Sequence, residues 1–265
     1  MTVKGRLDGK VAIVTGAASS GPGVGNGQAT AILFAREGAK VLLVNRSEAH
    51  AAQLKAEIDA EGGECSVFSA DILQRDQVKK MVAAAVERYG RLDVLHNNVG
   101  IGGPGKIGEM TEQVWDDAIG VNLKGTMWSC KYAIPPMIES GGGSIINVLS
   151  IAAVKGMRRS GSGFGAYSAS KAGLHGLTLS IAADYAAQRI RANNLVVGMV
   201  NTPMMDKFGE EARERRRLAV PLQTEGTAWD VAWAAVYLAS DESRWVTGAS
   251  LPIDGGQLAI GDFPS

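Results

Sequence analysis

The sequence predicts an α/β fold: a doubly wound, mainly seven-stranded parallel sheet with helices on both faces, in a single domain over residues 1–265. Three observations carry this. Short β-branched runs alternate with longer Ala-rich stretches nearly to the end of the chain. The runs read as almost continuous apolar strings, as strands buried on both faces do. No Pro/Ser-rich linker, charge block or internal repeat interrupts the alternation. Strands alternating with helices make βαβ units, whose right-handed crossovers build a parallel sheet.

The elements follow in order. A strand is expected at 11–15, a helix at 28–37 and a strand at 41–44. Helices at 48–61 and 77–89 precede a strand at 92–95. A long helical segment covers 113–139, followed by a strand at 144–149, a helix at 167–187 and a strand at 190–196.

Composition excludes several classes. Lys plus Arg and Asp plus Glu are 27 each, so nothing suggests a nucleic-acid or anionic-membrane partner. Cys65 and Cys130 lie far apart with no Cys-x-x-Cys pair, which points to a reducing compartment and away from zinc. Without a signal-like or spanning apolar run, a cytoplasmic protein is expected. His50, His96 and His175 are scattered without metal-ligand spacing, and His96 falls in a strand that should be buried. Gly-x-Ser-x-Gly is absent, against a hydrolase nucleophile elbow. Ser168-Ala-Ser-Lys171 spells Ser-x-x-Lys without its companion motifs.

The first strand runs into Gly16-Ala-Ala-Ser-Ser-Gly-Pro-Gly-Val-Gly-Asn-Gly27 and then a helix. Glycines let the backbone turn off the strand and approach a pyrophosphate, while the helix start offers unpaired N–H groups and partial positive charge. That arrangement predicts a Rossmann-type dinucleotide site, with Ser19 and Ser20 as further phosphate donors. Two registers are open: Gly16, Gly25 and Gly27, or Gly16, Gly21 and Gly23. The first is preferred because 27 to 38 suits one unbroken helix. At the end of the second strand, an acidic residue would bind ribose hydroxyls and repel a 2′-phosphate. Asn45 and Arg46 stand there instead. A guanidinium suits phosphate, so NADP(H) is favoured and NAD(H) stays open.

Tyr167 and Lys171 are four apart in an Ala/Gly-rich helix and project from one face. A tyrosine hydroxyl ordinarily titrates near 10, and a neighbouring ammonium is expected to lower that value. Ser150 ends a strand at the carboxyl edge of the sheet, where α/β folds bind ligands. Its hydroxyl can polarise a carbonyl for hydride attack.

These residues together resemble the short-chain dehydrogenase/reductase family. Gly16 with Gly25 and Gly27 resembles its Thr-Gly-x-x-x-Gly-x-Gly pattern, enlarged by five residues, and Tyr167-Ser-Ala-Ser-Lys171 its Tyr-x-x-x-Lys motif. The resemblance runs from about residue 7 to 256, ending in a last strand at Leu251-Pro-Ile-Asp-Gly-Gly256. It implies a catalytic set of Asn122, Ser150, Tyr167 and Lys171, with Asn122 holding a relay water. It implies cofactor contacts at Asn26, Asp71, Ile72, Asn98 and Gly100, with Lys171 and Tyr167 reaching the nicotinamide ribose. It also implies that Val200 N–H and the Thr202 side chain hold the carboxamide, with Val197 where proline is usual. The helical faces of 113–139 and of the Tyr167 helix imply a homotetramer.

Tyr167 follows Ser150 by 17 positions, longer than the family pattern, and the insert 156–165 is read as a solvated, flexible flap carrying Arg158, Arg159 and Phe164. Ile151, Ala152, Phe164, Met199, Met204, Met205 and Phe208 are expected to line a substrate pocket, with 199–225 as its apolar lid. Residues 213–217, rich in arginine, read as a solvated helix face. The expected activity is hydride transfer between NAD(P)(H) and a bulky or hydrophobic ketone or secondary alcohol. The alternative is a non-catalytic dinucleotide-binding module, which has no need of a tuned tyrosine.

Overall fold

The computed structural model describes residues 5–19, 21, 23–157, 163–206 and 208–260; the side chains of Met204 and Asp206 lie outside that description. In chain order the first half comprises β1 (Val11–Thr15), α1 (Asn26–Arg36), β2 (Lys40–Asn45), α2 (Glu48–Ala60), β3 (Glu64–Ser69), α3 (Arg75–Tyr89) and β4 (Val94–Asn97). The central part comprises α4 (Glu112–Ile119), a π turn (Gly120–Lys124), α5 (Gly125–Glu139), β5 (Gly143–Ser150), α6 (Gly165–Tyr185) and β6 (Ile190–Val197). Then come β7 (Val200–Asn201), α7 (Pro203–Asp206), α8 (Gly209–Leu218), β8 (Gly226–Thr227), α9 (Ala228–Ala239) and β9 (Ser250–Ile253).

Seven strands form one sheet in the order β3-β2-β1-β4-β5-β6-β9, every pair parallel. The order reverses direction between β1 and β4, which opens a crevice at their carboxyl ends. Alternate strand residues feed two cores: Ala12, Val14, Val41 and Leu43 pack under α1, α2 and α9. Ile13, Leu42 and Val44 pack under α3, α5 and α6. β4 begins two residues later than expected, because Asp93 is occupied as a connector: its carboxylate accepts from Val11 N at 2.9 Å and its carbonyl from Ser144 N at 2.8 Å. Among the described residues, no helix is long and apolar enough to cross a membrane.

One polar row crosses the apolar sheet. Asn97, Asn147, Asn194 and Ser250 stand opposite one another on four neighbouring strands. Asn97 Nδ2 donates to Asn147 Oδ1 at 2.9 Å, Asn147 Nδ2 to Thr178 Oγ1 at 2.9 Å, and Thr178 Oγ1 to Asn194 Oδ1 at 2.6 Å. Asn194 Nδ2 then donates to Ser250 Oγ at 3.0 Å, which lies 3.0 Å from His175 Nδ1. Buried amides left unpaired would each cost about 1–3 kcal/mol. Through Thr178 and His175 the row ties α6, the helix that carries Tyr167 and Lys171, to β5, β6 and β9.

Candidate active site

Gly16 leaves β1 with φ 62°, a conformation suited to glycine. A Cβ on Gly27 would overlap Gly16 O, and Asn98 Nδ2 donates to the same carbonyl at 3.1 Å. Asn98 N in turn donates to Thr15 Oγ1 at 3.1 Å, so β1 and β4 share one rim. Gly25 caps α1 without a side chain, and no acidic residue stands in the first turn. The structure thus uses Gly16, Gly25 and Gly27 for the turn, the cap and the close approach. Gly21 and Gly23 instead face Pro203: a Cβ on either would stand 3.6 and 3.5 Å from it. These two glycines therefore lie beside the start of α7. Ser20 lies outside the described residues.

This cradle fits a dinucleotide. The free N–H groups of α1 and its dipole attract a pyrophosphate. Asn26 Oδ1 is buried with no hydrogen-bond partner among the described residues, an acceptor matched by a ribose or amide donor.

At the adenosine end, Asn45 Nδ2 donates to Ser47 O at 3.2 Å, which commits the side chain to its own turn. Arg46 is exposed, and its guanidinium makes no ion pair among the described residues; Ser69 Oγ donates to its carbonyl at 3.2 Å. Asp71 Oδ1 accepts from Leu73 N at 2.9 Å, capping the bend before α3. The Ile72 side chain is buried against Gly125. Asp71 N donates to Gln77 Oε1 at 2.8 Å, so the local turn engages both the main chain and one carboxylate oxygen of Asp71.

Ser150 ends β5, and its hydroxyl hydrogen-bonds that of Tyr167. Ser150 Oγ also accepts from Ala152 N at 3.2 Å. Lys171 is buried, its Nζ donating to Val148 O at 2.7 Å and lying 5.9 Å from the Tyr167 ring centroid. A Cβ on Gly100 would stand 3.1 Å from that Nζ, so the ammonium occupies space glycine leaves. Burial lowers Lys171 to about 8. Tyr167 is raised above its ordinary value by burial, with the Ser150 hydrogen bond opposing. The expectation that Lys171 pulls Tyr167 down is corrected here: the ammonium is turned to Val148 O, and desolvation of the phenol dominates.

Asn122 lies in the π turn, a helical irregularity frequent at functional sites. Its Oδ1 accepts from Ile101 N at 2.8 Å, and its Nδ2 donates to Ile101 O and Ser170 Oγ, both at 2.9 Å. The side chain is a clamp between the segment after Gly100 and α6. The Asn122 main-chain carbonyl accepts from Thr126 Oγ1 at 2.9 Å.

The substrate side differs more from expectation. Ile151 is core, packed with Leu149, Leu174 and Val196, while Ala152 is buried beside Ser150. The Phe164 ring lies 6.4 Å from that of Tyr167. Met199, Met205 and Thr202 are half-buried and Phe208 is 38 % exposed; the Met204 side chain, Arg158 and Arg159 lie outside the described residues. Val200 N turns back on Gly198 O at 3.0 Å. The second half of the expected apolar lid is polar: α8 has no buried residue. Its arginines lie on the expected solvated face in surface pairs: Arg213 grips Glu225, Arg217 grips Glu214, and Arg216 Nη2 donates to Asn201 Oδ1 at 3.2 Å.

Other contributors carry no motif. The end of the 156–165 insert is docked, with Phe164 bridged to Gly105 and Gly165 so close to Ile107 that a Cβ would overlap it. Gly163 and Gly165 serve close packing, while Gly156 faces open space. Gln257 and Lys155, which border the turn after β6, have no pattern in the sequence.

A model of the family described as enoyl-(acyl carrier protein) reductase matches residues 16–257. The chain is 41 % identical over 251 residues to the 3-oxoacyl-[acyl-carrier-protein] reductase FabG of Thermotoga maritima, covering 95 % of this chain and 98 % of that one. It is 37 % identical to the 2,5-dichloro-2,5-cyclohexadiene-1,4-diol dehydrogenase LinX of Sphingobium indicum, covering 95 % and 97 %. Among solved structures, carveol dehydrogenase from Mycobacterium avium in complex with NAD superposes with a TM-score of 0.89 at 29 % identity, covering 97 % and 100 %. A protein from Burkholderia xenovorans assigned to the short-chain dehydrogenases/reductases gives 0.91 at 40 %, with the same coverage. With the Tyr-x-x-x-Lys helix, the glycine cradle and the sheet order in place, this chain belongs to the short-chain dehydrogenase/reductase family of NAD(P)-dependent oxidoreductases.

Proposed function

We propose that this protein interconverts a ketone and a secondary alcohol, with Tyr167 moving the proton, Ser150 holding the oxygen and Lys171 supplying the countercharge. The observation that carries the reading is the Tyr167–Ser150 hydroxyl pair at the carboxyl edge of β5, with the Lys171 ammonium behind it. Gly16, Ser19, Gly25, Asn26 and Gly27 would hold the pyrophosphate side of NAD(P)(H), and Asn98, Gly100, Val200 and Thr202 its nicotinamide side. When bound, the nicotinamide supplies or accepts the hydride.

The raised Tyr167 keeps its proton at neutral pH, which suits it to donate to the substrate oxygen during reduction. The Ser150 hydroxyl donates to the same oxygen, and such a preorganised donor is worth about 3–4 kcal/mol. The phenolate left behind meets the Lys171 ammonium. The Asn122 carbonyl would order the water that returns the proton.

Arg46 supports NADP(H) over NAD(H), since an exposed guanidinium at this position, with no ion pair among the described residues, suits a 2′-phosphate. Met199, Met205, Phe164 and Phe208 support a bulky or hydrophobic substrate, with 199–225 as the lid. The reactions named for the relatives share a carbonyl or carbinol carbon. Half-exposed Trp115, Ile138 and Leu179 on α4, α5 and α6 support a homotetramer.

The test is initial rates with NADPH and NADH across aliphatic, alicyclic and aryl ketones. Turnover of alicyclic or aryl ketones, at least about tenfold faster with NADPH (~1.4 kcal/mol), is expected. A preference for NADH would overturn the cofactor choice, and activity confined to small polar ketones the substrate class.

A further inference from the structure

The turn after β9 ties together three segments that border the site. Asp254 builds it, one carboxylate oxygen accepting from Gly256 N at 2.9 Å and the other from Leu258 N at 2.8 Å. Gly255 O accepts from Leu222 N at 3.1 Å, and a Cβ on Gly256 would press on Pro221 at 3.3 Å, so the turn carries the end of the α8 segment. Gln257 lies within it, only 7 % exposed. Its main-chain carbonyl accepts from Lys155 Nζ at 2.9 Å, five residues past Ser150. Its Oε1 accepts from Met199 N at 2.9 Å. Gly198 makes room for this contact, because a Cβ there would overlap Gln257 Oε1 and stand 2.7 Å from Asp254 Cα.

We infer that Gln257 is a positioning residue for hydride transfer: by holding the peptide between Gly198 and Met199, it sets segment 200–202 against the nicotinamide end of the site. The inference rests on the reading above that Val200 and Thr202 face that end. No residue from 197 to 200 is proline, so no φ in the turn is locked covalently. Met199 N is held by Gln257 Oε1 and Gly198 N by Ile253 O at 3.0 Å, beside the local Val200 N to Gly198 O bond and the short pairing of Val200 with Gly226. With the first anchor gone, Met199 N finds water and the turn keeps its fold but loses its one position. Displacement by about 1 Å near reacting atoms costs on the order of a hundredfold in rate.

Full-length Gln257→Met, Gln257→Glu and Thr202→Val test this beside the native protein. Methionine keeps length without an acceptor; glutamate keeps Oε1. The readouts are the fluorescence enhancement of NADPH and NADH on binding, the Kd of ADP-ribose by competition, and kcat on the faster of cyclohexanone and acetophenone. Gln257→Met is expected to lower kcat about ten- to hundredfold and to reduce the bound fluorescence enhancement, with the ADP-ribose Kd unchanged. Gln257→Glu recovers most of both losses. A Gln257→Met protein with native kcat and fluorescence overturns the inference, as does a Gln257→Glu protein equally impaired. Thr202→Val separates the two levels. If it is impaired while Gln257→Met is native, only this inference fails; if it is silent in every readout, the nicotinamide-facing reading fails and takes this inference with it.

Discussion

Lys171 donates from Nζ to the main-chain carbonyl of Val148 at 2.7 Å, two residues before Ser150. The side chain that supplies charge to the site is thus anchored to the strand that supplies the serine, and α6 and β5 present one unit.

The burial of that ammonium is costly to the fold. Burial lowers Lys171 to about 8 from 10.5, so the unfolded chain binds this proton more readily than the folded one between those values. The stability lost is full below pH 8 and is regained as pH rises towards 10.5, about 3 kcal/mol in all. Lys171→Met should therefore be at least as stable as the native protein at pH 7, with the gain shrinking by pH 10. Its reductase rate should fall on the order of a hundredfold or more. Denaturant melts at the two pH values, with rates alongside, check both; a variant much less stable at pH 7 contradicts the assignment of cost.

Arg46 is exposed beside Asn45 at the end of β2. Charge-assisted hydrogen bonds contribute about 1.5–3 kcal/mol. Arg46→Ala is expected to lower kcat/KM for NADPH about tenfold or more and to leave the NADH value nearly unchanged. Equal losses with both cofactors would mean that Arg46 stacks on adenine without reading the phosphate.

His96 sits wholly buried in β4, edge-on to Phe34 at 6.1 Å, and neither ring nitrogen has a hydrogen-bond partner among the described residues. Burial pushes it down to about 3. The unfolded chain takes up a proton below 6.5 that the folded protein refuses until about 3, so stability falls with pH across that window by about 1.4 kcal/mol per unit. His96→Val removes both penalties. Its Tm should rise by several degrees at pH 7, at about 2–4 °C per kcal/mol, and its stability should decline less between pH 7 and 5.5. A lowered Tm would show that the imidazole packs better than valine.

What was legible in the sequence followed from periodicity and from backbone demands. The apolar runs locate β1 to the residue because a strand buried on both faces leaves no alternative pattern. Gly16, Gly25 and Gly27 are readable because a turn, a cap and a close approach each exclude a side chain. Spacing of four places Tyr167 and Lys171 on one helical face, but it does not say which way an ammonium turns. The pull of Val148 O on Lys171 and the occupied amide of Asn122 come from strands and loops distant in sequence. Gln257 is invisible for the same reason: its partners, Met199 and Lys155, lie 58 and 102 positions away. The packing of Ile151 against Leu174 and Val196 is likewise set by elements distant in sequence.

The central claim is that the Tyr167 hydroxyl, paired with Ser150, moves the proton. Tyr167→Phe removes that oxygen and little else. Ketone reduction by this variant, measured with NADPH and NADH beside direct titration of both cofactors, should fall on the order of a thousandfold, with cofactor affinity unchanged. Turnover persisting near the native rate would contradict the account.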